Sequence, residues 1–198
     1  LKRIHGVQEE GRNYNLKIDG HGTGLRPPTD KEWVEIADKA YVVESILLAQ
    51  PMESPSAVDL SATPWFPPIG TQDGEGSCVA WAVGYYTKTF QEAKEHGWDL
   101  SGADWIGGYY GYPTTAYQDR IFSPDFIYHL VNEGVDYGSN PFDAVNLVSA
   151  IGASSWEKMP YDPLDSNSWP SEEAWREASL YRGSSSGYEA LYFYTDAA

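Results

Sequence analysis

Apolar residues recur at helical spacing over residues 78–96. They lie three or four positions apart, at Val79, Val83, Tyr86, Phe90 and Ala93. Polar residues occupy the opposite face of the same stretch, which is the pattern of an amphipathic helix. Gly97 is suited to the left-handed conformation in which many helices end. The pattern therefore predicts a long helix with Cys78 in its first turn.

Four other segments carry local signals for the start of a helix. Thr29 and Glu32 form a capping box, which predicts a helix over residues 29–40. The predicted N-caps of the remaining three helices are Ser123, Asn140 and Ser171, the first two followed by a proline. These signals together predict a chain that is largely helical between its loops.

Four segments lack helical periodicity. Residues 1–28 are polar and rich in glycine, so we expect them to be extended or loosely ordered. Residues 50–71 contain several prolines and are predicted to lie as an extended strap on the surface. Residues 99–120, rich in glycine, tyrosine and tryptophan, are predicted to form a long loop, and residues 188–194 a strand.

Composition narrows the class of protein. The 198 residues are 41% hydrophobic, which is enough for a packed core, and the formal net charge is -16. An acidic surface disfavours nucleic acid as a partner, because phosphates are bound by lysine and arginine. No run of 18 apolar residues is present, so the sequence predicts no membrane span. With one cysteine, no disulfide can form within the chain.

The single cysteine lies where a thiol can be activated. Unpaired N–H groups at the start of a helix favour negative charge, so we expect the pKa of Cys78 to be lowered there. A turn containing Gly74 and Gly76 precedes it. The backbone N–H of Cys78 and the side-chain amide of Gln72 could then donate to one oxygen, as an oxyanion hole requires.

The stretch from Gln72 to Trp81 resembles the active-site sequence of papain-like cysteine peptidases of the prokaryotic type. It has Gln-Asp-Gly-Glu-Gly-Ser-Cys-Val-Ala-Trp where the family has Gln-Gly-Ser-Cys-Gly-Ser-Cys-Trp-Ala-Phe, with the same step from Gln to Cys. Further matches follow the family's order and are Val58-Asp59-Leu60, Pro67-Pro68-Ile69-Gly70, Phe122 to Tyr128, Gly138 to Ile151, and Met159 to Asp162. The resemblance covers about residues 57–163. One departure is Glu75, which stands where the family has an extra cysteine, so the usual disulfide is absent.

The resemblance implies an α+β, papain-like fold in three parts. Residues 1–56 would be a propeptide-like leading segment, residues 57–163 the Cys-bearing helical lobe, and residues 164–198 the incomplete start of a β-rich lobe. It also implies Cys78 as nucleophile and Gln72 as oxyanion donor. The implied substrate-binding positions are Gly76, Ser77, Gly138, Ser139 and Asn140.

The family's catalytic His and Asn lie roughly 130–150 residues after the cysteine. Counted from Cys78, these positions fall beyond residue 198, so we expect them on a C-terminal chain or segment. His96 closes the helix that Cys78 opens and is predicted to lie far from the thiol. For His129, in mid-helix among apolar neighbours, we expect a structural role. His5 and His21 belong to the leading segment, for which crossing the cleft over Cys78 is a hypothesis.

The sequence therefore predicts a cysteine endopeptidase that acts through an acyl-enzyme, as a zymogen or as one chain of a processed enzyme. The alternative is an inactive papain-like relative that binds peptide or carbohydrate outside the cell, using the groove and the aromatic residues of 105–117. The predicted partner is a peptide or protein substrate. No cofactor and no metal site are predicted, because the acidic residues lack the spacing of an EF-hand. The acidic charge and the prosegment-like start indicate secretion.

Overall fold

A long helical run forms the centre of the fold. The computed structural model describes residues 17–39 and 56–183, and the strand predicted at 188–194 lies outside the described residues. The run consists of α2 (Cys78–Ala80), a π-helical segment (Trp81–Lys88) and α3 (Thr89–His96), and we call it the central helix. Gly97 ends it in the left-handed conformation, as predicted. The wider π-helical turn was not indicated by the apolar spacing.

All four of the other predicted helices are confirmed. α1 (Asp30–Lys39) follows its capping box, in which the backbone N–H of Glu32 donates to Thr29 Oγ1 at 3.2 Å. The remaining three are α4 (Pro124–Val131), α5 (Pro141–Ala150) and α6 (Glu172–Ala178). Their N-cap side chains each accept a backbone N–H of the first turn and are Ser123, Asn140 and Ser171. Short-range capping thus defines where these helices begin.

Two apolar clusters hold the helices together. The larger one joins α2, α4, α5 and α6, and its fully buried aromatic and aliphatic members include Phe122, Phe126, Ile127 and Tyr128. The central helix approaches α4 closely at Gly84, where an added Cβ would lie 2.6 Å from Ile127 Cδ1. The second cluster is mainly aromatic and consists of Trp81, Tyr85, Ala103, Ile121, Trp156 and Tyr161.

The strap and the long loop lie against the central helix. Tyr85 donates its hydroxyl to the carbonyl of Pro68 at 2.9 Å, and the backbone N–H of Gly70 donates to the Tyr86 hydroxyl at 3.2 Å. The described part of the strap, from residue 56, includes a 3-10 turn (Leu60–Ala62). The long loop contains an antiparallel pair, β3 (Trp105–Ile106) and β4 (Tyr112–Pro113), and a 3-10 turn (Thr115–Tyr117).

The first residues that the structure describes, within the leading segment, form a small antiparallel hairpin of β1 (Lys17–Ile18) and β2 (His21–Gly22). At the other end of the chain, the described residues 164–183 form turns and α6, and α6 packs on the helical core rather than on a sheet. The predicted division at residues 56 and 163 stays a prediction. Within the described ranges, no helix combines the length and the apolar content that crossing a membrane requires.

Candidate active site

Cys78 stands at the first position of α2. The residue is partly buried. Burial raises the pKa of the Cys78 thiol, and hydrogen bonds from the backbone of Val79 and Gly24 offset that rise only in part. The direction is opposite to the one expected from the helix start alone. The physical reason is that the folded chain removes solvent from the thiol, and the leading segment is one of its neighbours, since the Gly24 backbone lies within hydrogen-bond reach.

The side chain of Gln72 is held in one orientation by two backbone carbonyls. Its Nε2 donates to the carbonyl of Glu75 at 2.8 Å, which folds the amide back over its own loop. The same Nε2 donates to the carbonyl of Gly22 at 2.8 Å. The donor predicted for an oxyanion therefore points at a carbonyl oxygen, and that oxygen belongs to the leading segment.

The leading segment passes between two glycine-lined walls. An added Cβ on Gly24 would lie 2.0 Å from the Gly76 carbonyl oxygen, and one on Gly138 would lie 2.2 Å from the Gly24 carbonyl oxygen. Backbone hydrogen bonds hold the segment against the Gly138 side. The N–H of Ser139 donates to the Gly24 carbonyl at 2.8 Å, and the N–H of Arg26 donates to the Ser139 carbonyl at 2.9 Å. On the Gly76 side, the N–H of Gly22 donates to the carbonyl of Asp73. Residues 22–26 thus lie extended in the groove, as a bound peptide would.

The predicted substrate-binding positions divide into two kinds. The backbones of Gly76, Gly138 and Ser139 border the leading segment. The side chains of the other two positions are buried and bind within the lobe. Ser77 Oγ lies 2.8 Å from the Tyr161 hydroxyl, and Asn140 Oδ1 accepts the N–H of Phe142 at the start of α5. Any contact of Ser77 or Asn140 with a substrate in this arrangement would have to be made by their backbone.

Side-chain contacts outside the groove hold the leading segment in place. Arg26 donates to Glu32 through both terminal nitrogens, at 2.8 and 3.1 Å, and to Asp143 of α5 at 2.9 Å. The long loop also contacts the segment, since the Tyr109 hydroxyl donates to the Gly20 carbonyl at 2.5 Å. The segment is therefore attached to the loop, to α5 and to both walls of the groove.

The described histidines make contacts away from the thiol. His96 lies 3.1 Å from Glu92 at the far end of the central helix, as predicted, and His21 packs beside the ring of Tyr109. His129 is buried, but its neighbours are not all apolar as expected. Its Nε2 lies 3.8 Å from Glu75 Oε1 and 3.7 Å from Asp125 Oδ1. The helical spacing of Asp125 and His129 was visible in the sequence, whereas the approach of Glu75 depends on the fold.

The pKa values of Glu75, Asp125 and His129 are all raised. Burial raises the pKa of Asp125 well above its ordinary value, and the nearby Glu75 charge adds to the effect. Burial also raises the pKa of Glu75, against the opposing effect of His129. For His129, burial alone would lower the pKa, but Glu75 and the Ser168 carbonyl outweigh it and the pKa is raised.

Comparison with known proteins identifies the fold. The chain is similar to xylellain, a cysteine protease from Xylella fastidiosa, with a TM-score of 0.56 and 18% sequence identity. The match covers 94% of this chain and 62% of that one, so the chain spans about three fifths of the length of its structural neighbour. No protein-family model and no curated protein matches the sequence. The chain thus has the α+β, papain-like fold that the sequence predicts.

Proposed function

We propose that this chain is the cysteine-bearing part of a papain-like cysteine endopeptidase, held as a zymogen by its own leading segment. One observation carries the proposal: residues 22–26 lie extended between the loop that ends at Cys78 and the backbone of Gly138 and Ser139. Within that path, the carbonyl of Gly22 accepts the Gln72 amide. The groove is therefore shaped for an extended peptide. It has a nucleophile and an oxygen-binding donor along its length.

In the active form, a substrate peptide replaces the leading segment. The Cys78 sulfur forms a bond to the scissile carbonyl carbon, and the π electrons of that carbonyl move to its oxygen. Gln72 Nε2 and the backbone N–H of Cys78 donate to the resulting oxyanion. The C–N bond then breaks, and the leaving amine takes a proton from an imidazolium. Water hydrolyses the thioester that remains.

The imidazole belongs to the part of the enzyme that carries the catalytic His and Asn. It would take the proton of the Cys78 thiol and form the ion pair that burial under the leading segment now disfavours. Displacement of Gly24 would let solvent reach the Cys78 sulfur and would leave room for the imidazole beside it. The enzyme is therefore activated when the leading segment is removed. The zymogen is secreted.

The test uses the processed enzyme with its His-bearing part. A peptidyl epoxide should alkylate Cys78, located by peptide mass spectrometry, and Cys78→Ala should abolish both labelling and peptide hydrolysis. Gln72→Ala should lower kcat for peptide hydrolysis by about 100- to 1,000-fold. Its rate of epoxide labelling should change far less, because ring opening forms no tetrahedral oxyanion. Gln118→Ala is the matched control, since Gln118 Nε2 also donates to a loop carbonyl, that of Pro113.

A groove that binds peptide without cleaving it is the second candidate. The surroundings of the thiol favour it, because His21, His96 and His129, the histidines that the structure describes, all make their contacts elsewhere. In that case the processed protein would bind peptides without hydrolysing them, and the epoxide would label no residue. Absence of both hydrolysis and labelling would end the endopeptidase proposal.

A further inference from the structure

A compact set of metal-ligating side chains lies beneath the groove. Asp125 and His129 are one helical turn apart on α4, and Glu75 comes from the loop that leads to Cys78. One oxygen of each carboxylate and one ring nitrogen of His129 lie within 4.8 Å of one another. All three side chains are at most 2% exposed. Two carboxylates and an imidazole are thus concentrated in a nearly dry volume.

The atoms that face one another are not hydrogen-bonded. His129 Nε2 is 3.7 Å from Asp125 Oδ1 and 3.8 Å from Glu75 Oε1, which is too long for a hydrogen bond. Among the described residues, no hydrogen-bond partner of standard geometry exists for His129 Nε2, for Asp125 Oδ1 or for either Glu75 oxygen. Buried polar atoms without partners are rare in folded proteins, and a water molecule or an ion is the usual explanation for several of them together.

The outer atoms of the cluster are oriented as in a metal site. His129 Nδ1 lies 2.7 Å from the carbonyl of Ser168, which can only accept, so Nδ1 carries the proton. With a cation bound, the ring is neutral and Nε2 directs its lone pair to the ion between the two carboxylates. Asp125 is held from behind as well, because its Oδ2 accepts the N–H of Asp162 at 2.8 Å. Such outer hydrogen bonds fix ligands around metal ions.

We propose that Glu75, Asp125 and His129 bind one first-row divalent cation, with Zn²⁺ as the best fit. Ligand atoms around a tetrahedral Zn²⁺ with bonds of about 2.0–2.2 Å lie roughly 3.3–3.6 Å apart. His129 Nε2 is already close to these distances, at 3.7 and 3.8 Å from the two carboxylates, and the carboxylate oxygens, which lie within 4.8 Å of each other, would close the remaining gap. An imidazole nitrogen favours Zn²⁺ over Ca²⁺, which takes six to eight oxygens. The charge of the ion balances the two carboxylates.

The ion would act as a cross-link between the groove and the helical core. Glu75 belongs to the loop that carries Gln72 and Cys78, and its carbonyl already accepts the Gln72 amide. Asp125 and His129 belong to α4, which is packed in the main apolar cluster. Coordination would therefore hold the loop against α4 while leaving the thiol untouched. The site does not depend on peptidase activity.

The experiment measures metal content rather than activity. The Cys78→Ser protein is prepared without a polyhistidine tag, so that neither the thiol nor a tag binds the metal. It is folded with and without ZnCl₂, dialysed, and analysed by inductively coupled plasma mass spectrometry. We expect about one Zn²⁺ per chain. Added Zn²⁺ at about 100 times its Kd should raise Tm by roughly 5–10 °C relative to chelator-treated protein.

Variants locate the ion. Asp125→Asn and His129→Gln should each lose the bound Zn²⁺ and the Tm shift, while His96→Gln, a histidine at the far end of the central helix, should keep both. If the ligand variants fail to fold, visible absorption of the Co²⁺-loaded Cys78→Ser protein reports a tetrahedral site without them. Folded Cys78→Ser protein that retains no stoichiometric Zn²⁺ and melts at one temperature with or without it overturns the proposal. The cluster is then a proton-sharing triad.

Discussion

Gln72 Nε2 lies 2.8 Å from the carbonyl oxygen of Gly22, fifty positions earlier in the chain. The Glu75 carbonyl accepts the same nitrogen, so the amide has no freedom to turn away from the groove. The Gly22 carbonyl therefore accepts the same N–H group of Gln72 that would donate to a substrate oxyanion in the proposed reaction. The fit of the leading segment in the groove can be tested by substituting Gly24, which belongs to the segment.

Gly24→Ala should expel the leading segment. Its Cβ would lie 2.0 Å from the Gly76 carbonyl oxygen, and the three nearest atoms are all backbone atoms of Gly76, which cannot rotate away as a side chain could. We expect faster alkylation of Cys78 by iodoacetamide, and faster trypsin cleavage within residues 17–39, than in the parent protein. Gly108→Ala is the control, because an added Cβ there meets nothing within 4 Å. Equal alkylation rates in the parent and in Gly24→Ala would show that the segment does not protect the thiol.

The contact between Arg26 and Glu32, both in the leading segment, should make the folded arrangement of that segment sensitive to acid. Burial by itself would raise the pKa of Glu32, but hydrogen bonds from Arg26 and Thr29 outweigh it and lower the pKa from 4.5 to about 2. The stabilisation from ionised Glu32 is complete above pH 4.5 and is lost as the pH falls towards 2. Asp143 acts in the opposite direction, because burial raises its pKa and protonation favours the docked state.

Hydrogen exchange can isolate the contribution of Glu32. Protection factors for residues 22–36, taken relative to those of α4, should be constant from pH 7 to 4.5 and fall between pH 4.5 and about 2. Glu32→Gln should be less protected at pH 7 and should lack the decline. Glu35→Gln changes an exposed glutamate of the same helix and should behave as the parent protein does. A decline of the same size in Glu32→Gln would contradict this explanation.

Two left-handed glycines should differ sharply in their tolerance of alanine. Gly97 has φ 67° with open space around its Cβ position, whereas Gly152 has φ 107° and its Cβ would lie 1.7 Å from the Ala178 carbonyl oxygen. Gly97→Ala should lower the free energy of unfolding by about 1 kcal/mol, through backbone conformation alone. Gly152→Ala should lower it by roughly 3 kcal/mol or more, because strain and a backbone clash add.

Equilibrium unfolding in urea, followed by circular dichroism, measures both changes. The pair is informative because each substitution adds the same methyl group at a left-handed residue. Similar losses for the two variants would mean that the approach of α6 to Gly152 is looser than the structure has it.

The sequence alone determined the local framework. Capping side chains at Thr29, Ser123, Asn140 and Ser171 and the glycine after His96 correctly placed the helices, because caps act within a few residues of the chain. The resemblance around Gln72 and Cys78 indicated the α+β, papain-like fold, and the structural comparison confirms it. The catalytic roles of these two residues stay predictions.

Only the tertiary structure decided what surrounds those residues. No periodicity indicates that Gly22 meets Gln72, that Gly24 lies between Gly76 and Gly138, or that Glu75 reaches His129. Such contacts depend on the path of the whole chain. The pKa of Cys78 makes the same point, since the helix start favours the thiolate but burial raises the pKa. Local sequence supplies the helix end, and the folded chain sets how much solvent reaches it.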